Sequence, residues 1–293
     1  MSAALIAVVV SLLLGHLVPS LPLLRRYDGF IGWLHWLGKH TSGDEWPNRV
    51  GLLLAVGLPL LVVGAVQFLI DDLWYGLPAF FFALLALVFT WGPRDLSLDV
   101  EAVIDARGPE ARRAAAVALF PEGGEPVVEG PTLVAAVFRC ALWRWFGVLF
   151  WFLVAGAVGA LGYRMIALCA QGEARRSLPE AQRGVARTAL AVLNWPVAQL
   201  MTFALALAAD FDRVLSAWRD WHAQGVRLDP GFLDAAARAS VASELAEEDA
   251  YAVDGPAQAP DLLELRDAMS LVWRILLLWL GVLALFVLAG WAT

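Results

Sequence analysis

Arg139-Cys-Ala-Leu-Trp-Arg-Trp-Phe-Gly-Val-Leu-Phe-Trp-Phe-Leu-Val-Ala-Gly-Ala-Val-Gly-Ala-Leu-Gly-Tyr-Arg164-Met-Ile-Ala-Leu-Cys-Ala-Gln171 is the stretch on which the fold turns. Arg139, Arg144 and Arg164 bracket an apolar run interrupted by Gly156, Gly159 and Gly162, so a membrane-embedded segment carries cations at both ends. Counted from 133 to 170 the apolar region suffices for one membrane helix and a half, or for a hairpin that enters and leaves on one side, since one crossing takes about 20 residues. Three glycines at three-residue spacing also suit close helix packing.

The surroundings make the membrane reading firm. Of 293 residues 60% are hydrophobic and 17% charged, too few polar groups to cover a soluble core of this size. The net charge of -7 comes without a basic face, which excludes nucleic acid as a partner. Cys140 and Cys169 lack metal-ligand spacing and read as small buried hydrophobes. No metal or cofactor is expected.

Residues 2 to 18 form an apolar first helix without a basic leader or cleavage motif, followed by Pro19 and Pro22. Between 25 and 49, Phe30, Trp33, Leu34 and Leu37 recur at helical spacing and predict an interfacial helix, with His35 and His40, five apart and so on different faces, as solvated surface histidines. Val50 to Ile70 holds no charge and reaches roughly 31 Å at the helical rise. Gly57, Pro59 and Gly64 predict a kink and a close neighbour within it. Asp71-Asp72-Leu73 is a tight turn, and Trp74 to Trp91 returns as the second arm of a membrane hairpin.

From Asp95 to Ala106, Leu96, Val100, Val103 and Ile104 share one face, while Asp95, Asp99, Glu101 and Asp105 read as a solvated one. A second helix spans Glu110 to Phe120, and residues 121 to 131 read as a loop. Thr188 to Ala209 holds Asn194-Trp195-Pro196 and Gln199 and is expected to break at the proline. Phe211, Val214, Leu215 and Trp218 stripe a helix over 210 to 224 with His222 on its polar rim, and a further helix runs from Asp229-Pro230 to about Glu247. A linker over 249 to 260 follows. Asp261 caps the last helix, whose membrane part is Leu271 to Gly290, with Arg274 snorkelling near its end.

If every long loop is cytoplasmic, all nineteen Lys and Arg residues outside the apolar runs obey the positive-inside bias. That requires an even number of crossings between 92 and 270. A re-entrant 133 to 170 satisfies it, as does a span answered by 188 to 209. The second leaves Arg175, Arg176, Arg183 and Arg187 outside, which favours the re-entrant form. The expected protein is thus an all-α integral membrane protein with about four transmembrane helices plus re-entrant or interfacial helices and cytoplasmic amphipathic helices. It is a single domain, divided as 1–91, 92–132, 133–209, 210–265 and 266–293.

Three blocks then carry a family likeness: Trp91-Gly-Pro-Arg-Asp-Leu-Ser-Leu-Asp-Val-Glu-Ala-Val-Ile-Asp-Ala106, Phe146 to Arg164, and Leu193-Asn-Trp-Pro-Val-Ala-Gln-Leu200 followed by Ala217-Trp218. In order and spacing the chain resembles the AmpE proteins, a branch of the AmpE/CobD/CbiB membrane family. The resemblance implies a multi-pass protein of the bacterial inner membrane tied to β-lactamase induction and peptidoglycan recycling, with most loops cytoplasmic. The related CobD/CbiB branch implies a synthase that attaches aminopropanol in cobalamin synthesis. This chain departs from that branch. Gln199 stands where its arginine would be, Gly15 and His16 replace an early acidic residue, and no carboxylate remains in Phe138 to Gly147.

The leading expectation is a non-catalytic modulator that senses an anionic cell-wall metabolite or contacts a signalling protein partner. Arg139 and Arg144 would supply planar donors, Trp143, Trp145 and Trp195 would stack a ring, and Trp151, Tyr163, Arg164 and Asn194 complete the ligand-binding set. Headgroup pairing by the same arginines is the plainer alternative. A synthase or transferase would need Asp95, Asp99 and Glu101 near Arg164. A transporter fits least, since the apolar runs hold no ionisable residue beyond Arg164 and Arg274 near their ends.

Overall fold

The computed structural model describes residues 6–11, 27–40, 48–70, 77–91, 95–120, 126–223, 225, 227–251 and 262–289. Among them there are helices and connections and no strands. The helices are α1 (Asp28–His40), α2 (Asn48–Ile70), α3 (Leu77–Thr90), α4 (Leu96–Ile104), α5 (Pro109–Ala116), α6 (Gly130–Ala141), α7 (Gly147–Ala170), α8 (Glu180–Ala208), α9 (Phe211–Ala223), α10 (Gly231–Tyr251) and α11 (Leu263–Leu288). A π-helical turn, Leu142–Phe146, joins α6 to α7. Val50–Ile70, Gly130–Ala170, Glu180–Ala208 and Leu263–Leu288 are long and apolar enough to cross a membrane, so the all-α integral membrane fold holds. The expectations for residues 12–18, Pro19, Pro22, the 71–73 turn, Trp74 and Asp261 fall outside the described residues, as do those for 121–125 and 252–260.

The chain forms two compact units. The first comprises Met1–Pro93, Gly147–Leu193 and Leu283–Thr293. Its centre is α7, which is a hairpin. Ala155 (φ -135°, ψ 19°) and Gly156 (φ 63°, ψ -148°) leave the helical region, and the chain doubles back there. The reversal is visible in two contacts. A Cβ on Gly147 would lie 2.2 Å from the Tyr163 ring, and one on Gly159 would lie 2.1 Å from the Trp151 carbonyl oxygen. In a straight helix residues sixteen apart are separated by roughly 24 Å. Gly156 occupies a backbone region that is nearly closed to other residues. The three glycines therefore do three things: Gly156 makes the turn, Gly159 lets the arms touch, and Gly162 admits Leu60 of α2, whose Cδ1 lies 3.0 Å from the Cβ position.

α2 and α3 both pack on this hairpin. Gly64 of α2 faces Val158, as its composition foretold, whereas Gly57 has no atom within 4 Å of its Cβ position. Leu53, Leu61, Val62, Phe68 and Leu69 of α2 are exposed, the surface a helix presents to hydrocarbon. α1 lies where an interfacial helix was expected, with Leu34 buried and the Trp33 indole donating to the Ala55 carbonyl at 3.0 Å.

The second unit comprises Arg94–Phe146 and Asn194–Val282. α4 and α5 pack together, α6 packs on α4 and α10, and α9 packs on α10. The Asp95 carboxylate caps α4 by accepting from the Ser97 amide at 3.0 Å. Two expectations change here. α8 passes Pro196 without breaking, since a lost backbone hydrogen bond inside an apolar, packed helix leaves the helix continuous. Arg274 does not snorkel alone: its Nη1 meets Glu244 Oε1 of α10 at 2.8 Å.

Candidate functional site

Of the three arginines in the opening stretch Arg144 and Arg164 are buried and Arg139 is exposed, and each has an identifiable partner. Arg164 is 1% exposed, and its Nε donates to the Thr90 carbonyl at 2.6 Å. Thr90 ends α3, whose last carbonyls have no helical partner, so a cation there satisfies both the hydrogen bond and the helix dipole. In the same unit Tyr163 is buried under Gly147, and the Trp151 indole donates to the Leu193 carbonyl at 3.2 Å. That carbonyl lies next to the Val192 carbonyl, which Pro196 leaves without its usual donor.

In the second unit, the π turn places five consecutive residues, Leu142 to Phe146, in the interior. A wider turn re-aims side chains, and such turns recur at functional sites. Arg144 is 3% exposed. Its Nη1 contacts Asp99 Oδ2 at 2.6 Å, its Nη2 donates to the Ala118 carbonyl at 2.7 Å, and its guanidinium lies 5.2 Å from the Trp143 ring centre. Asp99 is thus buried, not part of a solvated acidic face. It shares a stripe with Leu96 and Val103, three and four residues away, and its cation is Arg144 rather than Arg164.

Arg139 differs in one decisive respect. Its Nε reaches both oxygens of Asp234 at 3.0 and 2.8 Å, and its Nη2 also donates to Oδ2, yet the arginine side chain is 56% exposed while the aspartate is 5% exposed. Burial pushes the Asp234 carboxyl above its ordinary value, and the hydrogen bond and charge of Arg139 pull it back. Asp234 sits on the buried face of α10 with Ala237 and Val241.

The ring-stacking residues are less available than the sequence implied. Trp143 and Trp145 are buried, with Trp145 against Trp273 at 5.3 Å between ring centres. Asn194 is buried and Trp195 half-buried on α8. The seven expected site residues are divided: Trp151, Tyr163 and Arg164 belong to the first unit, Arg139, Arg144, Asn194 and Trp195 to the second. Asp99 and Asp234 are the partners missing from the sequence reading. Among the described residues no three His, Cys, Asp or Glu side chains gather as a metal site. A cavity of about 540 Å3 opens beside Arg112, Arg113 and Glu129.

Comparison with protein-family models, with curated proteins and with solved structures finds no match.

Proposed function

We propose that this is a bacterial inner-membrane signalling modulator linked to β-lactamase induction and peptidoglycan recycling, which responds to an anionic metabolite or a protein partner at its cytoplasmic face. The observation that carries the ligand-responsive part is the asymmetry of the Arg139–Asp234 pair, an exposed guanidinium held by a buried carboxylate. Arg139 presents a planar cation that an incoming carboxylate or phosphate can reach, and engaging it loosens α6 from α10. Arg144 does not serve in this way, since its cation is enclosed with Asp99.

The test is β-lactamase induction in cells lacking the gene, complemented with the natural sequence or with Arg139→Ala, together with mass spectrometry of the soluble metabolites. The modulator reading expects altered induction in the deletion, failure of Arg139→Ala to restore it despite normal insertion, and an unchanged precursor pool. Restoration by that variant removes Arg139 as the receptor.

A synthase or transferase is the second reading, favoured by Asp99 and Asp234, which bring carboxylates to Arg144 and Arg139 where the local sequence has none. A precursor that accumulates in the deletion and disappears on complementation would put this reading first.

A further inference from the structure

His222, read from sequence as the polar rim of its helix, is half-buried against three side chains within the second unit. Its ring lies 4.3 Å from Trp218 and 5.2 Å from Phe232 between centres. Its Nδ1 is 2.8 Å from the Trp218 carbonyl, and its Nε2 is 3.4 Å from the Gln199 Nε2 of α8. The Oε1 of the same amide accepts the Trp218 indole N–H at 2.9 Å.

Donor chemistry fixes every role in this chain. A carbonyl only accepts, so Nδ1 carries the imidazole proton. An indole nitrogen only donates, so the Gln199 oxygen must face Trp218 and its NH2 must face His222. Nε2 is then left as the acceptor. The arrangement is complete for a neutral imidazole and for no other state. A proton on Nε2 sets N–H against NH2, and turning the amide to relieve that sets NH2 against the indole N–H.

We propose that His222, Gln199 and Trp218 form a proton-sensitive latch that holds α9 to α8 when His222 is neutral and releases it when His222 is charged. Imidazole is the side chain that changes charge between about pH 5 and pH 8. The groups around it do not supply a compensating anion. From α8 it meets Gln199, and residues 194–208 carry no charge. From α10 it meets Phe232, while Asp234 on that helix is committed to Arg139. Asp229 turns its Oδ1 to the Gly231 amide at 3.0 Å, and on α9 itself Arg219 and Asp220 point to the exposed side. The latch stands whether or not the signalling reading does.

The test is hydrogen exchange read by mass spectrometry on the full-length protein in detergent micelles at roughly pH 8 and pH 5, corrected for intrinsic rates. The latch expects exchange across Phe211–Ala223 to rise up to about tenfold at the lower pH, the upper end of the effect of losing one neutral hydrogen bond. His222→Gln should abolish the rise. Gln199→Glu should invert it, because a carboxylate accepts from both the imidazolium and the indole. Equal corrected exchange at the two pH values in the natural sequence overturns the proposal. So does a rise that persists in His222→Gln, which would assign the effect to a group other than His222, and so does a Gln199→Glu response identical to that of the natural sequence.

Discussion

Replacing Asp99 and Arg144 singly and together tests whether the interior of the second unit is organised around their ion pair. The two side chains are 1% and 4% exposed and meet at 2.6 Å. At an effective dielectric of about 20, unit charges about 4 Å apart attract by about 4 kcal/mol, while desolvating each ion costs several. The pair as a whole therefore contributes little net stability, but either partner alone is left as a buried charge. Arg144→Met strands the carboxylate, and Asp99→Leu strands a guanidinium that retains only the Ala118 carbonyl and the Trp143 face among the contacts described above. Each single variant should lose about 3–5 kcal/mol, and the double variant no more than roughly 2 kcal/mol, a coupling of several kcal/mol. The measurement is equilibrium unfolding in mixed micelles of rising dodecyl sulfate fraction, followed by far-ultraviolet circular dichroism. A double variant whose loss equals the sum of the two single losses would refute the reasoning, because the charges would then be stabilised independently.

Three further outcomes are expected. Gly147→Ala places a methyl group on the Tyr163 ring and should destabilise the hairpin by about 1–3 kcal/mol, with Tyr163→Leu in the same chain recovering most of it; Gly156→Ala should cost a similar amount, about 1–3 kcal/mol, through its positive φ, with no such rescue. Asp234 holds its proton more tightly folded than unfolded, so its contribution to stability should fall as pH rises from the ordinary carboxylate value through the raised folded value and stay level above it; Asp234→Asn should flatten that part of the pH–stability curve, and Arg139→Ala should extend it to higher pH. A cysteine introduced at the exposed Ala114 or Ala223 should escape an impermeant thiol reagent added outside intact cells and react after permeabilisation, against a background kept low by the burial of Cys140 and Cys169.

The membrane fold was legible because hydrocarbon imposes a one-dimensional rule, length and apolarity along the chain, and Val50 to Ile70 obeys it without reference to any neighbour. The hairpin was legible only as an alternative. The positive-inside count favoured re-entry at 133 to 170, and the backbone does reverse at Ala155 and Gly156, whereas α8 remained whole where the sequence placed a break. A proline changes one hydrogen bond, and whether the helix then breaks is decided by what surrounds it. His222 was misplaced for a related reason: helical spacing locates a residue on its own helix and says nothing of Gln199 arriving from α8.

The arginines show the same limit most clearly. Charge at the end of an apolar run reads as an anchor or an anion receptor, and both readings treat the cation as unmatched. The matching carboxylates lie 45 and 95 residues away along the chain, beyond the reach of any local pattern. A signal of the expected kind was nonetheless present, since Asp99 interrupts an otherwise apolar stripe of Leu96, Val100 and Val103, and Asp234 interrupts one with Ala237 and Val241. A carboxylate on the buried side of a helix is expensive unless a cation comes to it, so such an interruption predicts a partner even where its identity is hidden. Applied to both pairs, that logic separates two arginines the sequence treated alike. Arg144 answers a buried charge from inside and is fixed by it, whereas Arg139 answers one from the surface and still faces solvent. An anionic ligand therefore has a physical route to Arg139 and none to Arg144 without first opening the interior.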